Sequence, residues 1–300
     1  MLNMSVHPDK PLAAESKKPK KQSNTLEILK RLFKNKLAVM GLVIFIIYVL
    51  VAILAPLLTP YDFAEFNPSG KNQGPSLAHL FGTDDFGRDI LTRLFYGTRY
   101  SLGLGIGASF IGLFVGVILG CIAGYFGGVA EELIMRFCDL MQAIPSTLLA
   151  IVVSMVLGVG YVNTIIAIGI GRIPLNCRMI RAQFLGQRKL EYVEAAHATN
   201  CSKLKLIFVH ILPNAVSPLI VTTTMGIGGC IMIAAGLSFI NLGVQPPTPE
   251  WGAMITAGKE FIRLYPYQIL LPGIFMAVFV LAVNLLGDGL RDAMDPKLKT

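Results

Sequence analysis

The sequence predicts an all-α, polytopic membrane protein with six transmembrane helices, and three observations carry that prediction. Hydrophobic types make up 54% of the 300 residues and charged types only 15%, whereas a soluble domain carries about 25% charged residues. The apolar residues gather in runs at 37–59, 100–126, 139–158, 161–180, 215–240 and 266–286, each close to the roughly 20 residues a helix needs to cross the bilayer core. Within the runs hydrophobicity is continuous rather than alternating. Only helices and closed barrels satisfy their backbone in lipid, so this pattern selects helices.

Taken in order, residues 1–24 are polar, include Lys17, Lys18, Lys20 and Lys21, and are expected to be a disordered cytoplasmic tail. Leu26, Leu29, Leu32, Phe33 and Leu37 then recur at helical spacing with Lys30, Arg31 and Lys34 between them. They predict an interfacial helix that leads into the first span, a unit covering 25–60. The first span starts too late and runs too long for a cleavable signal. Residues 61–99 are expected as an external loop and 100–286 as a five-helix core. Residues 287–300 complete the chain as a cytoplasmic tail.

In the second span Gly112, Gly116, Gly120, Gly124 and Gly128 recur every four residues. Such a smooth stripe lets another helix approach closely. Gly103, Gly105 and Ala108 formally fit a dinucleotide fingerprint, but they lie inside an apolar span with no strand before them, so packing accounts for them better. Asp139 opens the third span. Arg172 and Arg178 lie toward the end of the fourth, which predicts that it stops early. With the N-terminus in the cytoplasm, the 26 Lys/Arg divide as 20 inside and 6 outside, which places both termini in the cytoplasm. The strongly basic start, with nine Lys/Arg in the first 36 residues, marks that side rather than a nucleic-acid site.

Several chemistries lack their signatures. The second, fifth and sixth spans hold no Asp, Glu, His, Lys or Arg in their interiors, which argues against a proton-coupled carrier. There is no H-E-x-x-H, no G-x-S-x-G and no phosphate loop, since Gly258-Lys259 is followed by Glu260. His7, His79, His197 and His210 are scattered. Cys121, Cys138, Cys177, Cys201 and Cys230 form no C-x-x-C pair and read as free thiols. The span polarity is neutral: Ser154, Asn163, Thr164, Thr222, Thr223, Thr224, Ser238 and Asn284, with Asn241 at an edge. These groups either line a path for a polar solute or bond neighbouring helices. The chain thus reads as a passage without an engine, whose energy must enter from a cytoplasmic partner.

The segment 181–213 is where such a partner would act. Glu191-Tyr192-Val193-Glu194-Ala195-Ala196-His197-Ala198-Thr199-Asn200 predicts a short helix, and Asn200 suits a left-handed cap. Ser202 can cap a second helix that presents Leu204, Ile207, Phe208, Ile211 and Leu212 to apolar surroundings before Pro213. The first helix either docks its acid and Ala-Ala face into a groove on another protein or lies on the bilayer surface.

Here the spacing resembles the E-A-A signature of ABC importer permeases: Glu194-Ala195-Ala196, then Leu212-Pro213 at the family's separation. Asn200 stands where the family has Gly, and His210 where it has Ile. Asn is the best substitute for Gly at a left-handed cap, and His210-Ile211-Leu212-Pro213-Asn214 reads as the peptide-importing branch often does. The likeness extends over nearly the whole chain. It includes Asn35-Lys36, Ala38 and Gly41; Gly82-Thr83-Asp84, Gly87-Arg88-Asp89, Arg93, Gly97, Arg99, Ser101 and Leu102, with Thr92 for a common Ser; Gln245 to Gly252; and Leu286 to Asp292 with Asp295-Pro296. Together these resemble the C-type transmembrane permease of dipeptide, oligopeptide and nickel importers.

The resemblance implies a type I ABC importer permease fold in a bacterial or archaeal cytoplasmic (inner) membrane. It implies a second homologous permease subunit, two cytoplasmic ATPases that carry ATP-Mg, and an extracytoplasmic solute-binding protein. This chain would bind no cofactor, metal or nucleic acid and would not be an enzyme. The ATPase-coupling residues would be Glu191, Glu194, Ala195, Ala196, Asn200, Leu212 and Pro213, and the substrate-path candidates Thr222, Thr223, Thr224, Ser238 and Asn241. The solute would be a di- or oligopeptide, with nickel or a metal chelate as the alternative and a secondary transporter as the remote one. Two further expectations concern the loops between spans. Asp84, Asp85 and Asp89 can pair locally with Arg88, Arg93 and Arg99. The Pro-rich loop ahead of Trp251 is stiff, either meeting a docked binding protein or capping the fold, with Trp251 at a membrane interface.

Overall fold

The computed structural model describes residues 24–294. The expected tail at 1–24, except Asn24, therefore lies outside the described residues, as do His7 and Asp295-Pro296. The helices in chain order are α1 (Asn24–Lys34), α2 (Lys36–Leu58), α3 (Ile90–Phe126), α4 (Gly128–Gln142), α5 (Ser146–Leu157), α6 (Tyr161–Gln187), α7 (Glu191–Ala198), α8 (Lys203–Lys205), α9 (Leu212–Ala215), α10 (Ser217–Phe239), α11 (Trp251–Gly258) and α12 (Tyr267–Met294). A π-helical turn, Leu206–Ile211, joins α8 to α9. No sheet forms among the described residues, where Thr83 and Asp89 make one isolated antiparallel bridge.

Four helices, α2, α3, α10 and α12, are long and apolar enough to cross a membrane. The third expected span is different. It breaks at Ala143-Ile144-Pro145, and α4 and α5 meet at a bend of 91°. Pro145 explains the break, because a proline biases the residue before it away from helix. The helix of the fourth expected span does not stop early: α6 continues through Arg172, Pro174 and Arg178 to Gln187, about 40 Å of helix, although with those arginines it is not among the helices apolar enough to cross a membrane. One end of the bundle, the α7 end, carries α7, and the other, the collar end, carries residues 59–89.

α3 and α6 form the central pair, and the glycine stripe explains their closeness. A Cβ at Gly112 would lie 2.6 Å from the Arg172 Cβ, one at Gly116 2.6 Å from the Asn176 Cβ, and one at Gly120 2.6 Å from the Cys177 carbonyl. At Gly124 it would meet the Phe184 Cβ at 2.6 Å. Gly128 leaves this register. Its φ is +57°, no atom lies near it, and it makes the turn into α4. α12 packs on α2 and α10, and α10 also packs on α3.

α1 seats Leu32 in a small cluster with Ala38, Leu286 and Ala293, while Leu29, Phe33 and Leu37 stay exposed. α2 is capped by Asn35, whose side chain accepts from the Leu37 and Ala38 amides. Its outward face, with Val43, Ile47, Leu50, Ile53 and Leu57, is exposed and apolar, as lipid-facing helices are.

At the collar end Arg88 pairs with Asp84 at 2.7 Å and Arg93 with the same carboxylate at 3.5 Å. Burial, reinforced by Asp84, pushes the Asp85 carboxyl up. The remaining two groups of this set do otherwise than expected. Asp89 caps α3 by accepting from the Thr92 amide and hydroxyl at 2.7 Å, and it meets His79 at 3.0 Å. Arg99 donates to the Ala52 carbonyl inside α2, which Pro56, four residues on, cannot satisfy because it has no N–H. Both satisfy unpaired backbone groups of a helix, which exert a stronger local demand than a distant charge.

Trp251 does not sit at an interface. It is fully buried, edge-on to Tyr48 and Phe279 at 5.8 and 5.9 Å, and its indole donates to the Leu94 carbonyl. It thereby pins α11 to α2, α3 and α12.

Candidate functional site

The 181–213 segment folds as two short helices held on the α7 end of α6. The Leu190 carbonyl accepts from the Val193 amide and starts α7. Val193 is buried against Phe184, Ile180 and the π turn. Asn200 stops the helix at φ +56°, and the Cys201 amide then reaches back to the Ala196 carbonyl at 3.1 Å. That six-to-one bond is the Schellman closure, here with Asn in the left-handed position that Gly usually fills. Cys201 and Ala196 pack beside the same cluster. One face of α7 is thus anchored, while Glu191, Glu194 and Ala195 are exposed and Ala196 is half-buried.

The second helix differs from expectation. Ser202 holds the N-cap position but makes no capping bond through its side chain. Leu206, Ile207 and Ile211 are buried, whereas Leu204 and Phe208 are exposed at 69% and 56%. The π turn explains the shift. The Leu212 amide bonds the Ile207 carbonyl five residues back, so the buried face moves out of the regular 3.6-residue phase just before Pro213. Leu212 is half-buried and Pro213 exposed.

The path candidates spread along α10. The Thr222 hydroxyl bonds back to the Pro218 carbonyl and reaches the Met179 sulfur. Thr224 bonds the Ile220 carbonyl at 2.8 Å. The Thr223 hydroxyl is buried without a partner. Ser238 is buried and donates to Glu250 at 3.2 Å. Asn241 has φ +60° and closes α10 as Asn200 closes α7, with the Leu242 amide on the Leu237 carbonyl. A cavity of about 450 Å³ lies at the α7 end between Pro218, Val221, Thr222, Met225 and Arg291. A second, of about 310 Å³, lies at the collar end between Ser238, Asn241, Gln245, Lys259 and Glu260. α10 borders both.

Two residues escape sequence reasoning. Glu250 is fully buried. It caps α11 through the Gly252 and Ala253 amides at 2.9 and 2.8 Å and accepts from Ser101 and Ser238. Burial pushes its carboxyl up, against the lowering effect of those four donors. The signal for it is an acid immediately before an apolar helix start. Arg172, expected near the cytoplasmic end of a short span, lies in the middle of α6. Arg178 and Arg181, by contrast, sit nearer the α7 end and pair with Asp139 and Glu131 of α4.

Comparisons with known proteins agree with this geometry. Residues 116–300 match the family described as "Binding-protein-dependent transport system inner membrane component", and residues 23–75 match the N-terminal TM domain of oligopeptide transport permease C. The chain is 48% identical to the dipeptide transport system permease protein DppC of Alkalihalophilus pseudofirmus, over 91% of this chain and 90% of that protein. It is 44% identical to the glutathione transport system permease protein GsiD of Escherichia coli over the same shares. With the di/tripeptide transport system permease protein DppC of Pseudomonas aeruginosa it shares 43% over 88% of this chain and 89% of that one. An inward-facing structure of the MetNI methionine ABC transporter superposes with a TM-score of 0.54 at 16% identity, covering 68% of this chain and 97% of that one, which shows the common fold. The chain therefore belongs to the binding-protein-dependent transport system inner membrane components, in their C-type branch, and is a permease subunit of an ABC importer with the type I permease fold.

Proposed function

We propose that this chain forms half of a translocation pathway for short peptides and takes its driving force through α7 from a separate ATPase. The observation that carries the reading is the presentation of α7. Its apolar face is anchored through Val193 on the π turn and the cluster that turn shares with α6, while Glu191, Glu194 and Ala195 are left open for another chain. The peptide substrate is supported by the relatives, which are named for dipeptides, di/tripeptides and glutathione.

In this reading two permeases enclose the path and two ATPases bind beneath them with ATP-Mg. A solute-binding protein delivers from outside the inner membrane. Both chain termini lie in the cytoplasm, where Lys/Arg concentrate, so the α7 end faces the ATPases and the collar end faces outward. Glu191, Glu194, Ala195, Ala196, Asn200, Leu212 and Pro213 form the coupling element, and the polar groups of α10 border the path. Nucleotide-driven closure of the ATPases shifts α7, and α6 carries that shift into a two-state bundle.

The test is Ala195→Trp and Glu194→Arg in the assembled importer. Each variant should insert normally and leave ATP hydrolysis running, while peptide uptake per ATP falls about tenfold or more, the size expected when one interface anchor is lost. Uptake equal to wild type in both variants overturns the assignment of α7.

A further inference from the structure

α6 carries a third arginine, Arg172, ahead of Arg178 and Arg181. Arg172 lies eleven residues into the helix that starts at Tyr161, about 16 Å along its axis. Its guanidinium lies flat on α10 over Gly226, where any Cβ would collide with it. Nη2 donates a long bond of 3.4 Å to the Thr222 carbonyl. Nε is buried with no acceptor. One turn further along α6 the buried Asn176 carbonyl oxygen also lacks a partner, as does the Thr223 hydroxyl beside Thr222. Among the described residues four buried side-chain atoms lack a partner, and three of them belong to Arg172, to the residue one turn from it and to the residue beside its acceptor.

Among the described residues no carboxylate lies within ion-pair distance of Arg172, although Arg178 and Arg181 on the same helix each have one. A charge packed between apolar helices is costly and is retained where it meets a counter-charge or lines a solute path. Arg172 is only half-buried, and its acceptor residue, Thr222, borders the larger cavity. The guanidinium fork, with unspent donors, matches a carboxylate held by two parallel bonds.

We propose that Arg172 is an anion-recognition residue of the translocation path and binds the carboxylate of the solute as it passes α10. The proposal rests on the peptide-importer reading. The carboxylate meets the Nη groups of Arg172, since Nε is buried in the bundle. The interaction is transient, because no second cation holds the anion in place.

The test uses the complete importer, with its binding protein and ATPases, in proteoliposomes. Uptake of alanyl-phenylalanine is compared with uptake of its C-terminal amide for wild type, Arg172→Lys and Arg172→Gln. The binding protein discriminates acid from amide equally for all three, so its contribution cancels when their acid-to-amide ratios are compared. The ratio should fall about tenfold in Arg172→Gln, as expected for loss of a charged hydrogen-bonded pair, and about threefold in Arg172→Lys, which keeps the charge but not the fork. A ratio equal to wild type overturns the proposal, including the case in which both peptides slow together. That result would make Arg172 a structural prop or the partner of an acid on the second permease. If Arg172→Gln does not assemble, the Arg172→Lys ratio decides alone. Wild type that takes up neither peptide overturns the peptide reading itself, whereas wild-type uptake with an unchanged ratio overturns the role of Arg172 alone.

Discussion

Glu250 shows how one side chain can hold several elements together. Its two oxygens gather two amides of α11, one hydroxyl from α3 and one from α10. Replacing it with Ala leaves those donors unpaired in a dry site and should cost about 3 kcal/mol, read as a lower melting temperature of the purified protein. Glu250→Gln should keep most of that stability and change its pH dependence. The carboxyl is raised in the folded state, so the folded protein keeps a proton at pH values where the unfolded chain has released it. Wild-type stability therefore falls as pH climbs from the ordinary carboxylate range through the raised value, and the Gln variant should lack that slope. Local residue patterns reveal such positions only in part. Asn200 was legible as a left-handed cap because Asn tolerates that conformation. Trp251 was misplaced at an interface because its partners, Tyr48 and Phe279, are remote in sequence.

Among elements, the α3–α6 pair is the most sharply specified. A Cβ at Gly120 would lie 2.6 Å from the Cys177 carbonyl, which is backbone and cannot move aside, whereas nothing surrounds Gly186 on the outer side of α6. Gly120→Ala should therefore cost about 1–3 kcal/mol by overpacking, while Gly186→Ala should be neutral or stabilise by up to about 1 kcal/mol. Denaturation of the two variants in one detergent checks the contrast, and equal melting would refute the stripe as the basis of the contact. The stripe was legible because its four-residue period is a local pattern. The bend between α4 and α5 was not, since Ala143, Ile144 and Pro145 are as apolar as the residues around them. The fourth span was misjudged for the opposite reason: its arginines resembled a terminus, but Arg178 and Arg181 are neutralised by α4.

For the whole molecule, composition and the placement of charge already conveyed the membrane class, and the E-A-A spacing conveyed the family. Neither could convey which ends of α10 border cavities, because a cavity is made by α12 and the 241–261 segment arriving from elsewhere in the chain. A permease subunit without a phosphate loop should hydrolyse no ATP when purified alone. Turnover above a protein-free blank, altered by substitutions in this chain, would contradict that.

α3 is a single helix of 37 residues, about 55 Å long and nearly twice the thickness of a hydrocarbon layer. Its first turns are tied into the collar by Asp89 and Arg93, and its last turns are locked against α6 by Gly120 and Gly124. No break interrupts the helix between those two attachments, so a tilt imposed at one surface of the bundle is carried toward the other by a single continuous element.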